Sequence, residues 1–268
     1  MAWAKATTLP DLLDIEELDR NLYRGTNEAY PDERPRLFGG QVLAQALRAA
    51  AYTVPDGRPP HSCHGYFLRP GRGDRPVILR VERDRDGRSF SARHVVALQD
   101  GDEIFTVSAS FHHPEDGGEL GPAMPEDVPP PDSPENEDAQ YHRVLDVRIL
   151  PGHGPAPGTV GAPSRVWARS PVPLGDDPIV HACALAYMSD IGSGFVNVSV
   201  PRLPKGGPSL DHALWFHHQI RLDEWTLLDL WPVRAGGGCG LYLGTVHAGN
   251  GQLGAFLAQE SLLRPETG

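Results

Sequence analysis

The chain has 268 residues, 40% of them hydrophobic, enough to bury a core in one large domain or two small ones. Its formal net charge of −11 argues against nucleic acid as the main partner, because phosphate binding is driven by clustered Lys and Arg. No apolar run approaches the ~20 residues that span a bilayer. The N-terminus, with Asp11, Asp14, Glu16 and Glu17 close behind, lacks the basic-then-apolar profile of a secretion signal, so a soluble, cytoplasmic protein is expected. Cys63, Cys183 and Cys239 are widely spaced and form no CxxC pair, which fits reduced thiols better than a disulfide framework or a zinc site.

In chain order, the first strong signal is LFGGQVLAQALRAAAYTV, residues 37–54. A Gly39-Gly40 start precedes Val42, Leu43, Ala46, Leu47 and Ala50 at helical spacing. Only β-type runs follow, through residue 114, and Asp86-Gly87 and Asp100-Gly101 stand between them as hairpin signals. Between Arg69 and Arg93 eight arginines face four acids, a charge excess that reads either as a solvated face or as a local site for a phosphorylated small molecule.

Residues 114–140 are rich in Pro, Gly, Asp and Glu and contain almost nothing that fills a core, which is linker composition. The second half then repeats the order of the first. GDDPIVHACALAYMSD, residues 175–190, offers Asp176 or Asp177 as N-cap and Pro178 at the first helical position. Apolar residues on nearly all sides of Ile179–Tyr187 mark a buried helix. Further β-type runs follow, with Asn250-Gly251 as the last turn; placing Tyr66-Phe67 on Trp215-Phe216 brings that turn within a residue of Asp100-Gly101. The expected fold is α+β and duplicated, each unit a long helix wrapped by an antiparallel sheet. The limits are 1–117 and 144–268, joined by a Pro- and acid-rich linker over 118–143.

Six segments in order, FGGQVLAQAL, HSCHGYFLRPG, RDGRSFSARHVVALQDG, LAYMSD, LDHALWFHH and AQESLLR, together resemble the acyl-CoA thioesterase II family, the TesB-like double-hotdog enzymes. The resemblance runs from about Leu22 to the C-terminus. It implies hydrolysis of fatty acyl-CoA to free acid and CoA with no cofactor and no metal, and a homo-oligomer, with catalysis by residues of the C-terminal unit. The positions that match the family's water-orienting Asp, Thr or Ser, and Gln are Asp190, Ser209 and Gln259. Thioester hydrolysis needs a water polarised by a carboxylate and help for the oxygen that gains charge. Asp190, at a helix C-terminus and partly buried, is expected to be a strengthened base, because the macrodipole and burial both disfavour its ionised form. Ser209 stands where the family more often has Thr, and Ser lacks the β-branch that stiffens χ1.

Gly39 and Gly40 serve either to present N–H groups to the thioester carbonyl or to permit close packing. Arg69, Arg88 and Arg93 are the candidate CoA-phosphate ligands of the basic segment. His212 and His218, on one expected strand face, match no metal-site spacing. Cys239, in the Gly-rich run 235–240, has no visible activating base, and the run itself departs from the family's usual polar stretch. Two rival readings remain. GDDPIVH is near the Gly-Asp-x-Asn-Pro-x-His pattern of hotdog-fold enoyl-CoA hydratases, with Asp176 and His181 at the right separation; the other rival is a non-catalytic acyl-CoA-binding protein.

Overall fold

The computed structural model describes residues 5–29, 36–139, 144–152, 162–198, 204 and 206–264. Its first half contains β1 (Lys5–Ala6), α1 (Leu9–Leu13), β2 (Glu16–Asp19), β3 (Leu22–Gly25), β4 (Asn27–Glu28), α2 (Gly39–Ala51), β5 (Pro60–Phe67), β6 (Val77–Asp86), β7 (Phe90–Gln99) and β8 (Asp102–His112). The second contains β9 (Glu137–Asp138), β10 (Asp146–Ile149), β11 (Ser164–Arg169), α3 (Pro178–Met188), β12 (Asp211–Phe216), β13 (Thr226–Gly236), β14 (Cys239–Ala248) and β15 (Leu253–Leu262). Both main helices begin and end close to where the sequence signals put them. Asp177 is the N-cap of α3, accepting from Ile179 N at 2.9 Å, with Pro178 next.

A 13-stranded sheet runs in the order β2-β3-β6-β7-β8-β5-β12-β15-β14-β13-β11-β10-β9. The order is nearly palindromic about the β5–β12 junction: β2 and β3 in the first half, and β9, β10 and β11 in the second, precede the helix, and four strands follow it in each half. Antiparallel pairing of Tyr66 with Asp211 and of His64 with Ala213 fuses the two units into one sheet. The hairpins turn where sequence places them, with Asp100 and Gly101 at φ 54° and 89°. The strands before each helix, β3 and β11, have only four and six residues, too short to stand out as runs in the sequence.

Helix α2 packs on β5–β8, and α3 lies beside α2 in the same core. Their contact is close. A Cβ on Gly40 would stand 2.4 Å from the Tyr187 carbonyl oxygen, so this position tolerates glycine alone. The linker is more than a tether: Met124 and Val128 pack on Leu150, Trp167 and Leu227, and Trp167 Nε1 donates to Pro129 O at 2.8 Å. Its acid-rich composition hid this, because two apolar side chains and one carbonyl do the packing. The end of the expected linker, 140–143, lies outside the described residues. No described helix is long and apolar enough to cross a membrane.

Candidate active site

A cavity of about 660 Å³ opens where the two halves meet. Leu37, Val42, Phe67, Ile104 and Phe105 supply its apolar wall, Arg36 and Arg69 are exposed on its lining, and Asp190, Ser209 and Gln259 contribute the polar part. The three polar residues come from separate elements and are brought together. Gln259 Nε2 donates to Ser209 Oγ at 2.6 Å, and Ser209 Oγ donates to Asp190 Oδ1 at 3.3 Å.

Each is placed by local structure. α3 stops at Ser189, and Gly192 at φ 88° turns the chain, so Asp190 projects just past the helix end. Ser209 is fixed against β15 by a bridge to Ser261, with Leu262 N donating to Pro208 O at 2.8 Å. That approach is tight: a Cβ on Gly207 would lie 1.8 Å from the Leu262 carbonyl oxygen.

Asp190 is 9% exposed, and its pKa is raised above the ordinary carboxyl value. Burial is the main cause; the nearby His212, Gln259, the Gly40 N–H and Ser209 pull the other way. The one-sided dipole expectation is thereby corrected. The carboxylate sits at the C-terminal end of α3 but also at the N-terminal turn of α2, whose cap residue Phe38 offers no side-chain hydrogen bond. A Cβ on Gly39 would come within 2.7 Å of Asp190 Oδ2, so glycine makes room for the carboxylate. The two helix ends act on it in opposite senses, and desolvation decides the net direction.

The other expected site residues separate. Gly39 lines the cavity, whereas Gly40 serves the α2–α3 contact and turns its N–H toward Asp190. Arg69 is on the cavity lining with one guanidinium N–H given to Glu103 O at 2.7 Å. Arg88 is exposed in the β6–β7 turn, off the lining. Arg93 corrects the expectation outright. It is fully buried, and its guanidinium donates to Thr53 Oγ1, Thr53 O, Arg85 O, Ala92 O and Asp86 Oδ1, which leaves no N–H for a phosphate. Much of the remaining charge excess is neutralised in pairs, Arg72–Asp74 and Arg75–Asp100 among them. Arg36, which no spacing argument singled out, takes a place beside Arg69.

His212 and His218 do not share a face. β12 ends at Phe216; His212 points inward, while His218 pairs with Glu119 at 3.2 Å. Among the described residues no group of His, Cys, Asp and Glu is arranged to hold a metal ion. The hydratase dyad does not assemble either. His181 is buried with Nε2 2.9 Å from Gly175 O and Nδ1 accepting from Leu222 N at 3.1 Å, and Asp176 is a solvent-facing partner of Arg221. Gly237 and Gly238 form the β13–β14 turn, so the Gly-rich run is a hairpin and not part of the cavity wall. Cys63 and Cys183 are buried, with thiol pKa values pushed up to about 12 by desolvation.

Residues 27–112 match the family described as acyl-CoA thioesterase N-terminal domain, and residues 125–263 match the acyl-CoA thioesterase C-terminal domain. Acyl-CoA thioesterase 2 of Haemophilus influenzae is 35% identical over 94% of this chain and 96% of its own. The chain belongs to the acyl-CoA thioesterase family. It is by that membership an enzyme, a hydrolase of thioesters. Among solved structures, acyl-CoA thioesterase II TesB2 from Mycobacterium marinum is 40% identical, with a TM-score of 0.82 over 97% of this chain and 99% of that one. A protein of unknown function from Alicyclobacillus acidocaldarius, described as having a hot dog fold, covers 97% of this chain and 98% of its own at 21% identity and a TM-score of 0.76, a likeness of fold alone.

The placement of Arg93 separates a structural from a ligand role. Arg93→Met is expected to cost about 3 kcal/mol of stability, because it strips a buried hydrogen-bonded network, and to leave KM for acyl-CoA unchanged. A stable variant with a raised KM would return Arg93 to the substrate site.

Proposed function

We propose that the protein hydrolyses fatty acyl-CoA to the free fatty acid and CoA by direct attack of a water held by Asp190, Ser209 and Gln259. The observation that carries this reading is a buried carboxylate, linked by hydrogen bonds to a hydroxyl and an amide, at one side of a largely apolar cavity with cations on its lining. The apolar wall suits an acyl chain, and exposed Arg36 and Arg69 suit the phosphates of CoA. The water loses its proton to Asp190 as its oxygen bonds to the thioester carbon. N–H groups of the first turn of α2, at Gly39, lie on the side where the carbonyl oxygen gains charge. Collapse of the tetrahedral intermediate breaks the C–S bond, and the proton held by Asp190 leaves with the CoA sulfur. A raised pKa makes Asp190 the stronger base for the first step.

The same reading treats the two units as two hotdog repeats, residues 1–117 and 144–268, joined through 118–143, with Met124 and Val128 of that connection packed on the second repeat. It also takes the protein to act in the cytoplasm, where its three cysteines stay reduced. The outer face of the sheet leaves Tyr66 61%, Phe90 46% and Trp215 37% exposed, and this face is proposed as the contact between copies in a homo-oligomer. Light scattering at micromolar concentration is expected to give a multiple of 29.1 kDa, and a monomer would contradict it.

A panel of acyl-CoA chain lengths, followed by release of free thiol, tests the reaction. Thiol release is expected, with no loss of the enoyl absorbance of crotonyl-CoA through hydration. Binding across the panel without thiol release would favour a non-catalytic acyl-CoA-binding protein. The ionised carboxylate is the active form, so kcat/KM is expected to fall as pH drops through a pKa above the ordinary 3.8. An acid limb at or below that value would remove Asp190 as the base.

A further inference from the structure

His212 lies in the DHxxWFH segment and is given no part in the reaction proposed above. It is 1% exposed on β12. Ala213 pairs with Ala258 across the β12–β15 ladder, so His212 and Gln259 are neighbours one step along it. The imidazole Nδ1 hydrogen-bonds Gln259 Oε1, and Nε2 lies 2.9 Å from Ser189 Oγ. Burial lowers the pKa of the ring below its ordinary value, so it carries a single proton at neutral pH.

That single proton has two possible homes, and they differ in consequence. With the proton on Nδ1, His212 donates to Gln259 Oε1. Gln259 must then turn its NH₂ to Ser209 Oγ, where it is found at 2.6 Å, and the Ser209 hydroxyl is left free to donate to Asp190 at 3.3 Å. Nε2 then takes the one proton of the Ser189 hydroxyl, which in the other tautomer goes to the Ala186 carbonyl; Ser189 Oγ lies 2.9 Å from each. With the proton on Nε2, a bare Nδ1 would face the amide oxygen. Gln259 would flip, Ser209 would have to donate to it, and Asp190 would lose its hydroxyl partner.

We infer that His212 is a positioning residue of the hydrolysis: its Nδ1–H fixes the amide orientation of Gln259, and donation then runs one way, Ser189 to His212 to Gln259 to Ser209 to Asp190. The inference rests on the proposed roles of Gln259 and Asp190. It adds to them a residue buried away from the substrate that decides which face of the amide meets the hydroxyl.

The conservative variants separate positioning from packing. The amide nitrogen of Asn reproduces a donor at the place of Nδ1, Gln reproduces one at the place of Nε2, and Leu reproduces neither. In the full-length protein, His212→Leu and His212→Gln are expected to lower kcat by roughly 10- to 100-fold with KM within about 3-fold, while His212→Asn stays within about 3-fold of the parent. His212→Leu combined with Gln259→Ala is expected to be no worse than Gln259→Ala alone, since both act on one bond. Ser189→Ala, which deletes only an oxygen, guards against misfolding of the Leu variant and is expected to lower kcat by roughly 3- to 10-fold. Parental kcat in Ser189→Ala or in His212→Leu, or equal damage in His212→Asn and His212→Leu, would overturn the inference while leaving Gln259 in place if Gln259→Ala is impaired. Parental kcat in Gln259→Ala would overturn the role of Gln259 and this inference together.

Discussion

The site depends on one constraint, the burial of the Asp190 carboxylate between two helix ends that belong to different halves of the chain. The C-terminal end of α3 presents it, and the first turn of α2 receives it. Neither half alone supplies both. A surface acid past a helix end would titrate as an ordinary carboxyl; this one is desolvated, and its pKa rises despite three hydrogen-bonding neighbours and a nearby imidazole. Keeping it there requires the α2–α3 contact at Gly40, the space left by Gly39 and the close crossing at Gly207.

The duplicated architecture offers a second position of the same kind, and its contents differ. Thr53 stands two residues past α2 as Asp190 stands two residues past α3. Thr53 instead meets the buried guanidinium of Arg93, which bonds to both its hydroxyl and its carbonyl. A cation at a helix C-terminus is stabilising, whereas a carboxylate there opposes the dipole. One helix end is therefore built for stability, and the other carries a charge that costs stability. This asymmetry explains why the basic segment misled a reading from composition: its fully buried arginine, Arg93, is a structural tie.

Much of this was legible in the sequence, and the limits are physical. The two main helices announced themselves by the Gly-Gly start of α2 and by the Asp177-Pro178 cap of α3, both local signals. The Asp-Gly and Asn-Gly turns fixed the hairpins in the same way. Asp190, Ser209 and Gln259 came from a family pattern, because nothing local marks a serine or glutamine as sharing a hydrogen bond with an acid far along the chain. Arg36 and His212 were out of reach for a related reason. Arg36 closes a mixed run with Asp32, Glu33 and Arg34 that reads as solvated surface, and the place of His212 beside Gln259 depends on the β12–β15 register, which spacing along one strand does not reveal. The linker failed in the opposite sense, its acids masking the few apolar residues that dock it on the second unit.

The central claim, a buried base held at an energetic cost, is tested most directly by measuring kcat and thermal stability together in Asp190→Asn. The amide keeps the shape but accepts no proton at neutral pH, and general-base assistance is worth about 10²- to 10⁴-fold. Because the folded-state pKa of Asp190 lies above its unfolded value, stability falls as pH rises between the two, and above both values the ionised group opposes folding. Removing the charge should leave Tm unchanged or higher while kcat falls by at least about 100-fold. A variant that melts early and still releases CoA at the parental rate would contradict the account.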